Sequence, residues 1–269
     1  MRLTCTTNWS PFPPRTRAVQ FDEKWAFVAK KEANCDRCDP ADDRKGDHWD
    51  HVALDPDHRL VVSVVPGKRT AKNTGALVHD FRRRTEGRLM DLITTDEYAP
   101  YRGAILEAYG ATVTPPRTGK RGRPRKSFKV PSAGLTYATV HKTRSKGRVV
   151  KVEQRIIFGT AEAVGAALAR SASSRAVNTS FVERQNGTDR NRNARKVRKT
   201  YCFSKDWSMH QAITYFTMYS YNFCWPVRTL RIKTEGGVWQ RRTPAMAAGL
   251  ADHVWTLSEW LTLPAVHQK

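Results

Sequence analysis

The sequence predicts an α/β domain built on a mixed sheet with an antiparallel start and helices packed on its faces. Strand-length apolar runs come first along the chain, and strand-length and helix-length segments then alternate. The chain has 269 residues, of which 39% are hydrophobic and 10% aromatic, so it can bury a substantial core. Together these observations favour one large α/β domain with shorter segments at its ends.

The first half of the chain is predicted to hold four strands and two helices. The strands are expected at 18–28, 48–54, 59–65 and 89–95. The second and third are joined by the turn-forming "DPDH", which favours an antiparallel meander. Thr70 can cap the first helix, and Pro100 and Gly110 are placed to begin and end the second.

The second half opens with an insertion at 112–134 that is rich in proline, glycine and positive charge. "TYATVHKT" and "VVKVEQRIIFGT" then predict a hairpin across "RSKGR", and "AEAVGAALARSAS" predicts an Ala-rich helix. A long basic helix is expected from Ser180 through Lys199, followed by another helix over "DWSMHQAITYFTMYSYNF". The predicted divisions are a tail at 1–17, a main domain at 18–225 that contains the insertion, and a C-terminal tail with short helices at 226–269.

The charge balance predicts a polyanionic partner. Lys and Arg number 47 against 25 Asp and Glu, which gives a formal net charge of +22. No apolar run approaches the roughly 20 residues that span a bilayer, and no apolar segment follows Met1. We therefore expect a nucleic-acid partner, no membrane and no signal peptide. Five sparse cysteines indicate a reducing compartment, so the expected location is the cytoplasm, with the nucleoid when DNA is bound.

Three acidic residues are candidates for a metal site. Asp22 interrupts the apolar run of the first strand, Asp96 ends the fourth strand, and Glu183 lies on the basic helix. Ligand sites in open α/β sheets lie at the carboxyl ends of strands, so neighbouring first and fourth strands would bring the two aspartates together. Converging carboxylates repel each other unless divalent cations lie between them, and Mg²⁺ prefers such hard oxygen ligands.

Each acid also has a structural interpretation, and the sequence leaves it open. Asp22 could lie at the wet end of an edge strand, and Asp96 could be the N-cap of the next helix. Glu183 follows Ser180 by three residues, which is the spacing of a capping box.

Four segments carry a resemblance to a known family: "FDEKWAFVAKK", "DHWDHVALDPDHRLVVSVVPGKRT", "LITTDEYAPY" and "NTSFVERQNGTDRNRNARKVRKTYCFSKDWSMH". In this order they resemble the DDE transposases of bacterial insertion sequences, above all the insertion-sequence-one family and its relatives, over about residues 18–260. The resemblance implies a ribonuclease H-like mixed sheet. It also implies that Asp22, Asp96 and Glu183 are catalytic and bind two Mg²⁺ ions, with Mn²⁺ as a possible substitute.

The resemblance further implies DNA cleavage at the ends of a mobile element and strand transfer into target DNA, by a homodimer or a higher oligomer on double-stranded DNA. The alternatives are a nuclease of the same fold without strand transfer and a non-catalytic DNA-binding protein derived from a transposase. Two features depart from the family pattern. Gly187 falls inside the acidic helix, and fewer than two dozen residues precede Asp22, where related elements supply a DNA-binding segment. The chain is therefore expected to be the downstream part of a fusion, a truncated copy or a protein put to another use.

Two basic segments are predicted to contact DNA. "KRGRPRK" contains the R-G-R-P core of an AT-hook, which suits the narrow minor groove of A·T-rich DNA; a basic linker is the alternative. Its predicted contact residues are Arg121, Arg123, Arg125 and Lys126. The cations of the basic helix are predicted to contact DNA phosphates; the alternative is that they only form a solvated helix face. Its predicted contact residues are Arg184, Asn186, Arg190, Arg195 and Arg198.

One further motif has the ligand types of a zinc site. Cys35 and Cys38 form a C-x-x-C pair, with His48 and His51 downstream. A single pair without a second is a weak signal, and a polar surface loop is the alternative.

Overall fold

The computed structural model describes residues 15–116 and 125–262. The strands, in chain order, are β1 (Ala18–Val28), β2 (Gly46–Asp55), β3 (Leu60–Gly67), β4 (Leu92–Asp96), β5 (Ala111–Val113), β6 (Phe128–Val130), β7 (Tyr137–Ser145), β8 (Arg148–Phe158), β9 (Ile232–Lys233) and β10 (Trp239–Gln240). The helices are α1 (Ala71–Arg84), α2 (Pro100–Tyr109), α3 (Ala161–Arg170), α4 (Ser180–Arg192), α5 (Trp207–Cys224), α6 (Pro244–Ala247) and α7 (Leu257–Thr262).

Six of the strands form one mixed sheet in the order β3-β2-β1-β4-β7-β8. The first three pair antiparallel, β1 runs parallel to β4 and β4 parallel to β7, and β8 returns antiparallel along β7. The predicted α/β class, the antiparallel meander and the pairing of the first and fourth strands are therefore confirmed.

Helices cover both faces of the sheet. On one face, α1 and α2 pack Phe81 and Tyr101 against Phe21 of β1. On the other face, α4 and α5 pack Val182 and Met218 against β2 and β3. Because strand side chains alternate between faces, successive residues of β1 serve different layers.

Local sequence signals account for the ends of the first two helices. The Thr70 hydroxyl oxygen accepts a hydrogen bond from the Asn73 amide and so caps α1. Pro100 occupies the first turn of α2, and the Gly110 amide donates to the Leu106 carbonyl where α2 ends. A Cβ at Gly110 would lie 2.4 Å from that carbonyl oxygen, so the close approach requires glycine.

The basic helix predicted through Lys199 is wrong in its second half. Helix α4 ends at Arg192, and the Asn193 side chain accepts from the Arg195 amide at the start of a short 3₁₀ turn. The turn directs Lys196 into the interior, where its ammonium group bonds Asp50. Within α4, Gly187 is accommodated, and a Cβ there would meet open space.

The remaining segments extend the fold at its edges. Strands β5 and β6 pair at the two ends of the predicted insertion, whose residues 117–124 lie outside the described part. Beyond α5, Trp260 of α7 packs edge-on against Phe216 and joins the core under α4 and α5. None of the helices in the described part of the chain combines the length and apolar character that crossing a bilayer requires.

Candidate metal and nucleic-acid site

An open cleft of about 640 Å³ lies where β4, one of the two central strands of the sheet, ends before its neighbours. Strand β4 ends at Asp96, whereas β1 continues to Val28 and β7 continues to Ser145. The neighbouring strands therefore form two sides of the cleft, and Asp96 lies at its floor. This is the carboxyl edge of the parallel strands, where ligand sites of open α/β sheets are found.

The two predicted aspartates meet at this floor. Phe21 pairs with Thr95 in the parallel register of β1 and β4, which brings the next residues, Asp22 and Asp96, side by side. Carboxylate oxygens of these two residues and of Glu23 all lie within 4.8 Å of one another. An Asp96 oxygen accepts from the Tyr98 amide at 3.1 Å, which fixes its orientation.

The surroundings of Asp22 disfavour its negative charge. Burial, followed by the charges of Asp96 and Glu23, raises the pKa of Asp22 to about 7. Burial also raises the pKa of Asp96, with the charge of Glu183 acting in the same direction. The only polar side chain bonded to Asp22 in the described structure is the neutral amide of Asn186, at 2.8 Å. Arg69 offsets part of the repulsion, since it bonds Glu23 and lies 4.0 Å from an Asp96 oxygen. A divalent cation between the carboxylate oxygens would offset more of it.

Glu23 is a member of the cluster that the sequence analysis missed. Its side chain is almost fully buried, and Arg69 donates to it at 3.1 Å. Burial raises the pKa of Glu23, and the Tyr101 hydroxyl and Arg69 oppose that shift. Alternation along β1 assigns Asp22 and Glu23 to opposite faces, so the pattern gave no reason to group them. They converge because both lie beside the end of β4.

Glu183 faces the same cleft from the first turn of α4, but it is not part of the three-carboxylate group. Its carboxylate bonds the ammonium group of Lys142 on β7 and accepts from the Thr179 hydroxyl. The residue at the N-cap of α4 is Thr179, and the Ser180 hydroxyl bonds Asn178, so the capping-box alternative is wrong.

The structural alternatives for the two aspartates are also wrong. Asp22 lies within β1, which is an interior strand between β2 and β4 and not an edge. Asp96 does not cap the following helix, because Ala99 occupies the N-cap position of α2.

Several of the residues predicted to contact DNA surround the cleft. Asn186, Arg190 and Arg198 line it. Arg184 is exposed on α4, while Arg195 is half-buried in the turn beyond that helix.

The AT-hook-like segment lies at the limit of the described chain. Arg125 and Lys126 are exposed just before β6, and Arg121 and Arg123 lie outside the described residues. The cleft has cations that the sequence analysis did not name. Together with two arginines that it did name, the cations lining the cleft are Arg69, Lys142, Arg144, Arg190 and Arg198.

The predicted zinc ligands do not form a site. His48 is buried, bonds the Gly46 carbonyl through Nδ1 and packs on Trp207 at 4.4 Å between ring centres. His51 bonds the Val65 carbonyl inside the sheet. Within residues 15–116 and 125–262, neither histidine joins Cys35 or Cys38 in a group of three potential ligands. The surface-loop alternative fits the partly and fully exposed cysteines.

A second group of buried charges lies behind the cleft. Lys24, two residues after Asp22 on the same face of β1, bonds Asp189 of α4 and lies 3.3 Å from Asp50 of β2. Lys196 bonds the other oxygen of Asp50 at 2.9 Å and His210 at 2.7 Å. This group, which we call the lysine–aspartate cluster, comprises Lys24, Asp50, Asp189, Lys196 and His210. It ties α4 and the turn after it to the sheet.

No protein-family model and no curated protein matches this chain.

Proposed function

We propose that this chain is a metal-dependent enzyme that cuts phosphodiester bonds in DNA, and specifically a DDE-type transposase with a ribonuclease H-like core. The observation that carries the proposal is the carboxylate cluster of Asp22, Glu23 and Asp96 at the floor of a cleft with cationic walls. The sheet supports the proposed core, since an antiparallel meander is followed by strands parallel to β1 on its other side.

The donor groups suit Mg²⁺ or Mn²⁺. They are hard carboxylate oxygens within 4.8 Å of one another, and the raised pKa of Asp22 is what a divalent cation would reverse. Asp22 and Asp96 would hold the ions, with Glu183 as the third acid of the family resemblance and Glu23 as the third by geometry. When bound, a pair of such ions supplies activation of a nucleophile and stabilisation of a leaving oxygen in an in-line displacement.

The protein residues around the cluster have separate roles in this proposal. The Asn186 amide orients the Asp22 carboxylate through its hydrogen bond. Arg190 and Arg198 hold the phosphates that flank the scissile bond, since both line the cleft that contains the carboxylate cluster. The lysine–aspartate cluster fixes α4, and with it the positions of Glu183 and Asn186 relative to β1.

Double-stranded DNA is the proposed substrate, with element ends cut and then joined to a target. The excess of positive charge and the arginines around the cleft support a polyanion of this kind. Processing two ends together calls for at least two copies of the chain, which is why we propose a homodimer or a higher oligomer on DNA.

The deciding experiment replaces Asp96 with Asn. We expect Asp96→Asn to abolish Mg²⁺-dependent nicking of supercoiled DNA while DNA affinity is retained, because the amide keeps the shape but not the charge. Nicking assays with Mg²⁺ and with EDTA, alongside anisotropy measurements of DNA binding, would test both halves. Equal nicking by the variant and the wild type would refute the proposal.

A joining assay with a pre-cut duplex end would separate transposition from plain hydrolysis. Joined product is expected from a transposase, whereas a nuclease of this fold would release only cut strands. If DNA binds but is neither cut nor joined, and Asp22→Ala changes nothing, the chain is a non-catalytic DNA-binding protein.

A further inference from the structure

Next to the cleft, a two-stranded ribbon projects beyond the sheet. It consists of residues 141–153, in which the end of β7 pairs with the start of β8; we call it the β7–β8 arm. Asp96 pairs with Val140, so β7 runs five residues past the end of β4. At about 3.3 Å per residue, the arm reaches roughly 16 Å beyond the floor of the cleft.

The arm is a defined ribbon rather than a loose loop. Lys146 and Gly147 have φ values of 47° and 78°, and Ser145 pairs directly with Arg148. Positive φ at both central residues is typical of a type I′ turn, which matches the twist of the flanking strands. At its base, Lys142 bonds Glu183 and His141 bonds Glu97, so the ribbon is anchored to α4 and to the residue that follows β4.

The projecting part of the arm is exposed and strongly basic. Every residue from 143 to 152 is exposed, and that stretch contains four cations and no acid. Within the described chain, Arg144, Lys146 and Arg148 form no ion pair, and only Lys151 has one, with Glu153. Val150 and Val152 are also more than half exposed, although β-branched residues favour burial. Bare cations beside exposed valines indicate a polyanionic partner that also offers apolar surface.

We propose that the β7–β8 arm lies along duplex DNA next to the cleft, with Arg144, Lys146 and Arg148 on phosphates. A two-stranded ribbon fits the major groove of B-DNA, where apolar side chains can contact thymine methyl groups. Arg144 lines the cleft as well, so the arm and the carboxylate cluster face one continuous surface. The inference rests on the proposed function for its substrate. A second copy of this chain is a poorer partner, because its net charge is also +22.

The test compares a triple substitution in the arm with two matched triples. Arg144→Ala, Lys146→Ala and Arg148→Ala together remove the unpaired charges without touching the core. Arg228→Ala, Lys233→Ala and Arg241→Ala remove three exposed charges beyond α5. That region is at the far edge of the sheet, since Asn222 near the end of α5 bonds Val61 at the start of β3. Arg144→Lys, Lys146→Arg and Arg148→Lys keep the charge.

Binding of a short fluorescein-labelled duplex is measured by anisotropy in EDTA across a range of salt concentrations. The arm triple is expected to bind at least about 10-fold more weakly, and its slope of log affinity against log salt should be smaller by about 3. The far-edge triple and the charge-conserving triple should behave like the wild type. Unchanged affinity of the arm triple, or an equal loss in the far-edge triple, would overturn the inference.

The same preparations separate this inference from the proposed function. If the wild-type protein never cuts DNA but the triple variant in the arm still loses duplex affinity, the proposed function fails and the inference that the arm binds DNA is retained. If Asp96→Asn abolishes cutting but the arm triple binds normally, the arm inference fails alone. Sedimentation in the absence of DNA adds one more outcome. A dimer that becomes a monomer in the arm triple, with DNA affinity unchanged, would assign the arm to contact between copies and overturn the inference.

Discussion

Two groups of carboxylates lie next to each other along β1, and the protein compensates their charges in different ways. Lys24 on β1 lies within the lysine–aspartate cluster, in which the chain supplies its own cations. Burial alone would raise the pKa of Asp50, but Lys196 and Lys24 lower it well below its usual value. Two residues earlier on the same strand, the pKa of Asp22 is raised to about 7. Buried lysines balance the charges of Asp50 and Asp189, whereas no cationic side chain in the described structure bonds Asp22.

The difference shows that an acidic residue in a strand can have a structural role or a ligand-binding role, and that its neighbours decide between the two. Both groups are costly to desolvate, and each has one member, Lys24 or Asp22, on the face of β1 that packs against α4. The closed group has no opening to solvent, so internal compensation is the arrangement that allows the chain to fold. The cleft group opens to solvent, where an ion and a phosphodiester can reach it.

The largest expected effect comes from breaking the compensation in the closed group. Lys24→Met keeps the length of the side chain but removes the cation that Asp50 and Asp189 share. We expect the free energy of unfolding to fall by about 3–5 kcal/mol, because uncompensated buried charge remains. Urea unfolding would measure it, with exposed Lys146→Met as the control at less than about 0.5 kcal/mol. A loss no larger than that of the control would show that the lysine does not compensate these acids.

A substitution in the cleft group is expected to raise the free energy of unfolding at neutral and alkaline pH, by less than Lys24→Met lowers it. Asp22 has a folded-state pKa of about 7 against an ordinary value of 3.8, so the folded state holds the proton more tightly. Its contribution to stability is therefore complete below about pH 4 and is lost as the pH rises through about 7.

Asp22→Asn removes that dependence. In EDTA, the unfolding free energy of the variant relative to the wild type should rise by about 2–4 kcal/mol between acidic and mildly alkaline pH. Urea unfolding at a series of pH values would show the trend. Parallel curves for the two proteins would mean that Asp22 ionises normally.

The smallest expected effect would show which glutamate completes the proposed metal site in the absence of DNA. At ten times its dissociation constant, Mg²⁺ should stabilise the wild type by about 1.4 kcal/mol. Glu23→Gln should lose most of that increment, because its carboxylate belongs to the cluster, whereas Glu183→Gln should keep it and lose only DNA cleavage. Thermal unfolding with and without Mg²⁺ gives the increment, and exposed Glu235→Gln is the matched control. If Glu183→Gln loses the increment and Glu23→Gln keeps it, Glu183 is the metal ligand and Glu23 serves only as the ion-pair partner of Arg69.

Much of the fold could be predicted because its signals are local. The alternation of β1, the cap at Thr70 and the turn between β7 and β8 depend on residues a few positions apart. The meeting of Asp22 and Asp96 was also predictable, since parallel neighbouring strands bring their carboxyl ends to one edge.

The rest depended on partners far apart in sequence. Lys196 reads as one more surface cation of a basic helix, yet it bonds Asp50, and the helix ends before it. Glu23 joins the cleft only because β4 is short, and its position on β1 alone assigns it to the other face. The features that the sequence analysis missed depend on strand lengths and on ion pairs between distant residues, which local propensities do not determine.

Because β4 ends early, the floor of the cleft and its sides are held by different parts of the sheet. Hydrogen bonding between β1 and β4 locks the floor of the cleft, so the spacing of its carboxylates is insensitive to anything that happens farther out. The length of the β1 and β7 sides depends on how far these strands extend beyond β4. Adding or deleting a pair of residues near the tip of β7 would therefore change the length of the β7–β8 arm, while the spacing of the carboxylates would stay the same.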